Sequence, residues 1–179
     1  EVQAALRLMK AGNSMVKIFA GRDMHPISNT IGGYLKMPSH DALKAVRKEL
    51  EKIMPDAVAT AKLIGSLKVP DFEKETEYFS IYRDDKYATI FGKIKSQSHT
   101  FEQGQFHDYV KEYHEPYSTA NFVVKEGKSY MVGALPRMNN SFELLSGNAK
   151  KAVKKSGIKF PNHNPFIQNF AQAVELIHY

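Results

Sequence analysis

The stretch GRDMHPISNTIGG, residues 21 to 33, decides how the rest of the chain is read. An arginine, a histidine and a proline stand ahead of a glycine pair, in a chain of 179 residues that contains no cysteine. Taken locally, the stretch is a connection between two helices: Pro26 stiffens an extended segment, and Gly32 and Gly33 permit a sharp turn. Arg22 and His25 give it a second reading. Both are costly to bury without partners, and a stiff loop can hold both toward a cleft.

Outward from this stretch the pattern is helical on both sides. Ala4, Ala5, Leu8 and Met9 recur at helical spacing, and Gly12 with Asn13 is expected to break that helix before SMVKIFA leads into the loop. On the other side Ser39 is placed to cap a long amphipathic helix. Leu43, Val46, Leu50, Ile53, Ala57 and Ile64 mark its apolar face, while Lys44, Lys48, Glu51 and Lys52 face away. Pro55 is expected to bend or restart this helix, and Gly65 and Pro70 to end it.

From Tyr78 the period changes. YFSIYR and YATIFGKI are rich in aromatic and β-branched residues, so they read as a strand pair joined by a polar turn at Asp84, Asp85 and Lys86. NFVVK and KSYMVGA read as a hairpin about Glu126 and Gly127. DYVKEYHE fits a short helix and a strand equally well. A short helix from Asn148 to about Ser156 closes at Gly157. The last helix opens with an Asn164 cap and Pro165, and Phe166, Ile167, Phe170, Ala173, Val174 and Ile177 form its apolar face. There is no internal repeat and no low-complexity linker.

The expected architecture is α+β, predominantly helical, with a small antiparallel sheet built from residues 78 to 95 and 121 to 134. It is expected as a single segment of a larger domain: residues 1–70 helical with the GRDMHP loop, 71–140 antiparallel strands, and 141–179 helical. The ends point the same way, since the chain opens without methionine inside a helical pattern and reaches Tyr179 with no stop signal. A piece of a longer polypeptide is the expectation.

Composition narrows the classes. With 42% hydrophobic and 25% charged residues the chain is globular in type. No apolar run approaches the ~20 residues of a spanning helix, and EVQAALRLMK lacks the order of a signal peptide, so a cytoplasmic place is expected. The absence of cysteine removes disulfides, thiolate nucleophiles and thiolate metal ligands together. A net charge of +6 is moderately basic, and KKAVKK, residues 150 to 155, holds much of the excess. No arginine or aromatic interleaves those lysines, so they read as a solvated helix face ahead of a nucleic-acid contact.

No local motif carries catalysis. His99, His107 and His114 lie eight and seven residues apart, and His163 and His178 sit in other elements, so no self-contained metal site is expected. No nucleophile elbow surrounds a serine, and Ser118 in EPYSTAN has no glycine beside it. Neither a dinucleotide fingerprint nor a P-loop occurs.

The decisive reading is a resemblance. GRDMHPISNTIGG is similar to the G-K/R-x-x-H-P-x-x-x-x-x-G-G signature in the middle of the large subunit of nickel-iron hydrogenases, matched at Gly21, Arg22, His25, Pro26, Gly32 and Gly33. EPYSTANFVVKEGKSYMVGALPRMNN, residues 115 to 140, resembles the E-x-Y-S-x-x-K and V-G-x-L-A-R-x-N region of the soluble, multisubunit members. The departures are Pro136, where the family usually has alanine, and Asn121, where lysine is common. With the final AQAVELIHY, the resemblance covers nearly the whole chain.

What this resemblance implies is a fold, the segment of the nickel-iron hydrogenase large-subunit fold, and an activity for the parent, heterolytic dihydrogen oxidation or proton reduction. The family's nickel-iron centre carries cyanide and carbon monoxide and is held by two C-x-x-C motifs, which here would lie outside residues 1–179; thiolates suit nickel as soft donors. No metal ligand, cofactor-binding residue or directly catalytic group is expected within the segment, which alone is expected to be inactive. His25 and Arg22, with Arg137, are the residues implied to orient the ligand sphere or help move protons. The implied partners are the remainder of the large subunit, an iron-sulfur small subunit and a nicotinamide-reducing module, with no membrane span and no nucleic acid. Two other readings stand beside it. One is a complex I type large subunit without nickel, against which Pro26 argues, because that family has alanine after the histidine. The other is a non-enzymatic basic domain binding RNA or protein.

Overall fold

The computed structural model describes residues 1–74 and 76–179. Two compact units partition the chain, Glu1–Leu63 and Ile64–Tyr179.

The first unit opens with α1, Val2–Ala20, which runs straight through Gly12 and Asn13. The expected break is therefore absent. A helical glycine costs about 1 kcal/mol relative to alanine, too little to interrupt a segment whose other residues favour the helix. The stop comes at Gly21, whose φ of 86° lets its N–H bond Lys17 O at 2.9 Å. A two-residue hairpin follows, β1 (Asn29–Thr30) paired antiparallel with β2 (Gly33–Tyr34). Gly32 supplies its turn with a φ of 86°.

Helix α2 spans His40–Gly65. Ser39 caps it as expected, its Oγ accepting from Ala42 N at 3.2 Å. Pro55 lies inside without ending it, because losing one ladder bond among the many of a 26-residue helix is tolerated. Arg7 of α1 forms a bidentate pair with Asp56 of α2, Nε to Oδ2 at 2.7 Å and Nη2 to Oδ1 at 2.8 Å.

In the second unit the strands are short: β3 (Glu77–Tyr78), β4 (Ser80–Tyr82), β5 (Lys93–Lys95) and β6 (Thr100–Phe101). Strands β4, β5 and β6 form one antiparallel sheet. The strand returning to β4 is 93–95 and not 87–94. Tyr87 and Ala88 are buried instead, the Tyr87 hydroxyl being committed to Glu175, and this draws the segment out of the ladder.

DYVKEYHE takes both of its permitted forms. It contributes the end of α3 (Phe106–Tyr109) and then β7 (Lys111–His114). Next come β8 (Asn121–Val124) and β9 (Tyr130–Met131). The turn between them forms, with φ of 51° at Glu126 and 74° at Gly127 and mutual backbone bonds of Lys125 and Lys128 at 3.0 and 2.9 Å. The hairpin does not. Strand β8 pairs antiparallel with β7, whereas β9 pairs parallel with β3, so the single antiparallel sheet of residues 78–95 and 121–134 is replaced by separate small sheets, one of them parallel.

Three helices close the unit: α4 (Ala134–Ser141), α5 (Gly147–Ser156) and α6 (Gln168–His178). Helix α5 is capped by Ser146 and closed by Gly157 in the left-handed conformation. Asn164 accepts from Phe166 N at 3.0 Å ahead of a 3-10 turn, Pro165–Ile167, that leads into α6. Leu135, Met138, Ala149, Phe170, Ala171 and Val174 are the buried centre. Phe166 turns away from it and meets Phe72 edge-on at 6.3 Å. Gly65 is required where α2 ends, since a Cβ there falls 2.8 Å from Phe170 Cε2. The architecture is thus mixed α and β with small sheets.

Candidate functional site

The GRDMHP loop is held by its main chain. Ala20 O, at the end of α1, accepts from Ile27 N at 3.0 Å and Ser28 N at 3.1 Å, and Ser28 O accepts from Leu35 N at 2.7 Å. These bonds fold residues 21–28 into a closed bend leading into β1. Arg22 donates from Nε to His25 O at 2.5 Å, so the two residues singled out in the sequence are joined, guanidinium to main chain. His25 adopts a φ of 50°, uncommon for a residue with a side chain. Both side chains are exposed, and so are the apolar Met24, Ile27, Ile31, Leu35 and Met37. The hydrogen-bonded backbone here presents polar and apolar side chains together at the surface of this chain.

Arg137 belongs to the second unit and is differently placed. Helix α4 begins after Gly133, where a φ of 113° and the contact a Cβ would make with Gln168 Nε2 leave room for glycine alone. Leu135 N donates to Gln168 Oε1 at 2.8 Å. Pro136 stands in the first turn, where a helical N–H has no ladder partner, so proline in place of alanine loses no bond. Pro136 therefore leaves the helix that carries Arg137 intact. Its Nε and Nη2 donate to the two oxygens of Glu175, both at 2.6 Å, and Tyr87 donates its hydroxyl to Glu175 Oε1 at 2.6 Å.

Glu175 is buried, and bonding to it raises the Arg137 guanidinium above its ordinary value, against the pull of desolvation. Burial, then Glu175, pushes the Tyr87 phenol far above its usual range. The neighbouring amides are equally committed. Asn139 exchanges bonds with Asn162, and Asn140 Nδ2 lies 3.1 Å from Tyr78 O, 2.9 Å from Ser80 Oγ and 3.1 Å from Lys95 O.

Sequence reasoning named Arg137 but missed Glu175 and Tyr87. One signal was present, because Glu175 is the only Asp, Glu, Lys or Arg in residues 164 to 179 and sits within the apolar helix. Tyr87 had none.

A third polar cluster gathers about Glu77. Ser96 Oγ and Ser98 Oγ donate to its carboxylate at 2.6 and 2.9 Å, Lys125 Nζ lies at 3.3 Å, and His99 Nδ1 at 3.2 Å. Burial pushes Glu77 upward, but the hydroxyls and Lys125 outweigh it and leave the carboxyl below its ordinary value. Ser98 Oγ is 2.9 Å from the same His99 Nδ1 that meets Glu77. A nucleophile relay needs serine and carboxylate on opposite ring nitrogens, so this cluster is a clamp on β3 and the turns beside it.

The chain's donors do not fit a nickel-iron centre. It has no cysteine, and among the described residues no group of three or more His, Asp or Glu converges to hold a metal.

No family model matches the chain. It is 30% identical over 182 residues to the sulfhydrogenase 1 subunit alpha of Pyrococcus furiosus, covering 100% of this chain and 42% of that subunit. It is 22% identical over 187 residues to the sulfhydrogenase 2 subunit alpha of the same organism, covering 99% and 41%. Its fold matches the NAD+-reducing NiFe-hydrogenase in the H2-reduced state with a TM-score of 0.80 at 18% identity, over 98% of this chain and 44% of that one. The chain thus spans less than half the length of these relatives. Over its whole length it is homologous to part of the hydrogenase alpha, or large, subunit, and it takes the nickel-iron large-subunit fold.

Proposed function

We propose that this chain serves as part of a nickel-iron hydrogenase large subunit, in an enzyme that oxidises dihydrogen or reduces protons. The observation that carries the reading is an alignment over the whole chain to a sulfhydrogenase alpha subunit at 30% identity, together with the common fold. In the parent, a centre held by thiolates outside these residues would supply heterolytic cleavage. This segment supplies scaffold and the GRDMHP loop.

Within that loop the roles are separable. Arg22 fixes the bend by binding His25 O, and the exposed imidazole of His25 is the group able to accept and release a proton. Arg137 acts from a locked position. The iron-sulfur small subunit and a nicotinamide-reducing module are the proposed partners, the latter by analogy with the NAD+-reducing neighbour. A cytoplasmic enzyme is proposed; no helix among the described residues is long and apolar enough to cross a membrane. Neither a nickel-free complex I type subunit nor a basic binding domain gains support from the relatives named above.

The test is hydrogen-dependent dye reduction by the intact protein carrying His25→Ala or Arg22→Ala. A loss of about tenfold or more with unchanged metal content is expected, the usual scale for groups supporting a metal's ligands. Unchanged turnover in both variants removes these residues from the mechanism.

A further inference from the structure

A cavity of about 220 Å³ opens in the second unit, walled by Phe79, Ile94, Phe101, Val110 and Val132 with Arg137 at its edge. Among the described residues that line it, Arg137 is the only charged one. Glu175 balances that charge while occupying only Nε and Nη2, and Nη1 has no partner among the described residues. Such a wall donates hydrogen bonds without attracting an ion. It suits a large apolar side chain whose own main-chain carbonyl reaches the guanidinium.

Three observations say what fills it. Strand β9, just before Val132, pairs with β3 on one edge and has no ladder partner on the other among the described residues. Val132 is 59% exposed although it lines the cavity. The sulfhydrogenase alpha subunit that aligns with the whole of this chain has more than half its own length outside the alignment.

We propose that the cavity is the receptor for an extended segment of the parent subunit lying outside residues 1–179, which inserts one large apolar side chain and hydrogen-bonds Arg137 through its backbone. The proposal rests on the large-subunit reading above. It makes Arg137 a docking residue, anchored by Glu175, which also accepts from the Tyr87 hydroxyl.

The test uses the intact protein that contains these residues. Because residues 1–179 hold no native cysteine, Val132→Cys and Ile90→Cys each place one thiol in the region, at positions 59% and 70% exposed in this chain. Labelling followed by peptide mass spectrometry is expected to find position 132 reacting about tenfold more slowly than position 90, since docking shields it. A photoreactive residue at 132 is expected to cross-link to the same polypeptide beyond residues 1–179. Equal labelling rates, or a cross-link to a second copy or a separate protein, overturn the docking proposal alone. An intact mass of 20.3 kDa, that of these residues by themselves, overturns the large-subunit reading with it.

Discussion

The loop at residues 21–33 and helix α4, which holds the end of the 115–140 stretch, contain the two segments read from the sequence as hydrogenase-like, and they are built in opposite ways. In the loop, main-chain bonds to Ala20 and Ser28 fix the path while the Arg22 and His25 side chains stay exposed. In α4 the polar side chains are engaged within their own unit: Arg137 bonds Glu175 through Nε and Nη2, Asn139 bonds Asn162, and Asn140 bonds Tyr78, Ser80 and Lys95. A motif residue therefore does not declare its task by type. A polar side chain engaged within the fold stabilises its own unit, and only the groups it leaves unbonded, Arg137 Nη1 among them, are available to another segment.

The sharpest way to break this contrast is Glu175→Ala. It strands the partly buried Arg137 charge and the Tyr87 hydroxyl, and a loss of about 3 kcal/mol is expected in urea unfolding, typical for halving a buried pair. Asn140→Ala comes next. It leaves the Tyr78 and Lys95 carbonyls without that donor, and about 2 kcal/mol is expected by the same measurement.

A pH titration of stability sharpens the picture further. Desolvation lowers His178, only partly opposed by Glu175, while its Nδ1 accepts from Ser146 N at 2.9 Å. Its folded value lies below the ordinary 6.5, so its contribution is complete above that pH and is lost as pH falls through the depressed value. Glu77, lowered from 4.5, adds a second loss of the same sign at more acid pH. His178→Phe is expected to flatten the first step and leave the second. The smallest effect belongs to His25→Ala, expected within about 0.5 kcal/mol of the parent in unfolding because the side chain is exposed. A loss as large as that of Glu175→Ala would erase the distinction between the two regions.

The helices were legible because their apolar residues repeat at the helical period and their ends carry Ser39, Gly157 and Asn164. Gly12 misled because a local propensity of about 1 kcal/mol is overruled by its neighbours. The turn at Glu126 and Gly127 was visible, being local, but the partners of β8 and β9 were not, since β3 and β7 are chosen by packing across distant segments. Arg22 and His25 in the first unit and Arg137 in the second were singled out from the sequence by residue type and motif alone. The bond from Arg22 to His25 O, the positive φ of His25 and the pairing of Tyr87 with Glu175, 88 residues away, are tertiary facts.

Metal analysis of the intact protein, with hydrogen uptake measured on the same sample, tests the central reading most directly. The large-subunit reading predicts stoichiometric nickel, retained in the His25→Ala variant while hydrogen uptake falls. An intact, folded protein purified anaerobically without nickel and inert toward dihydrogen would contradict it.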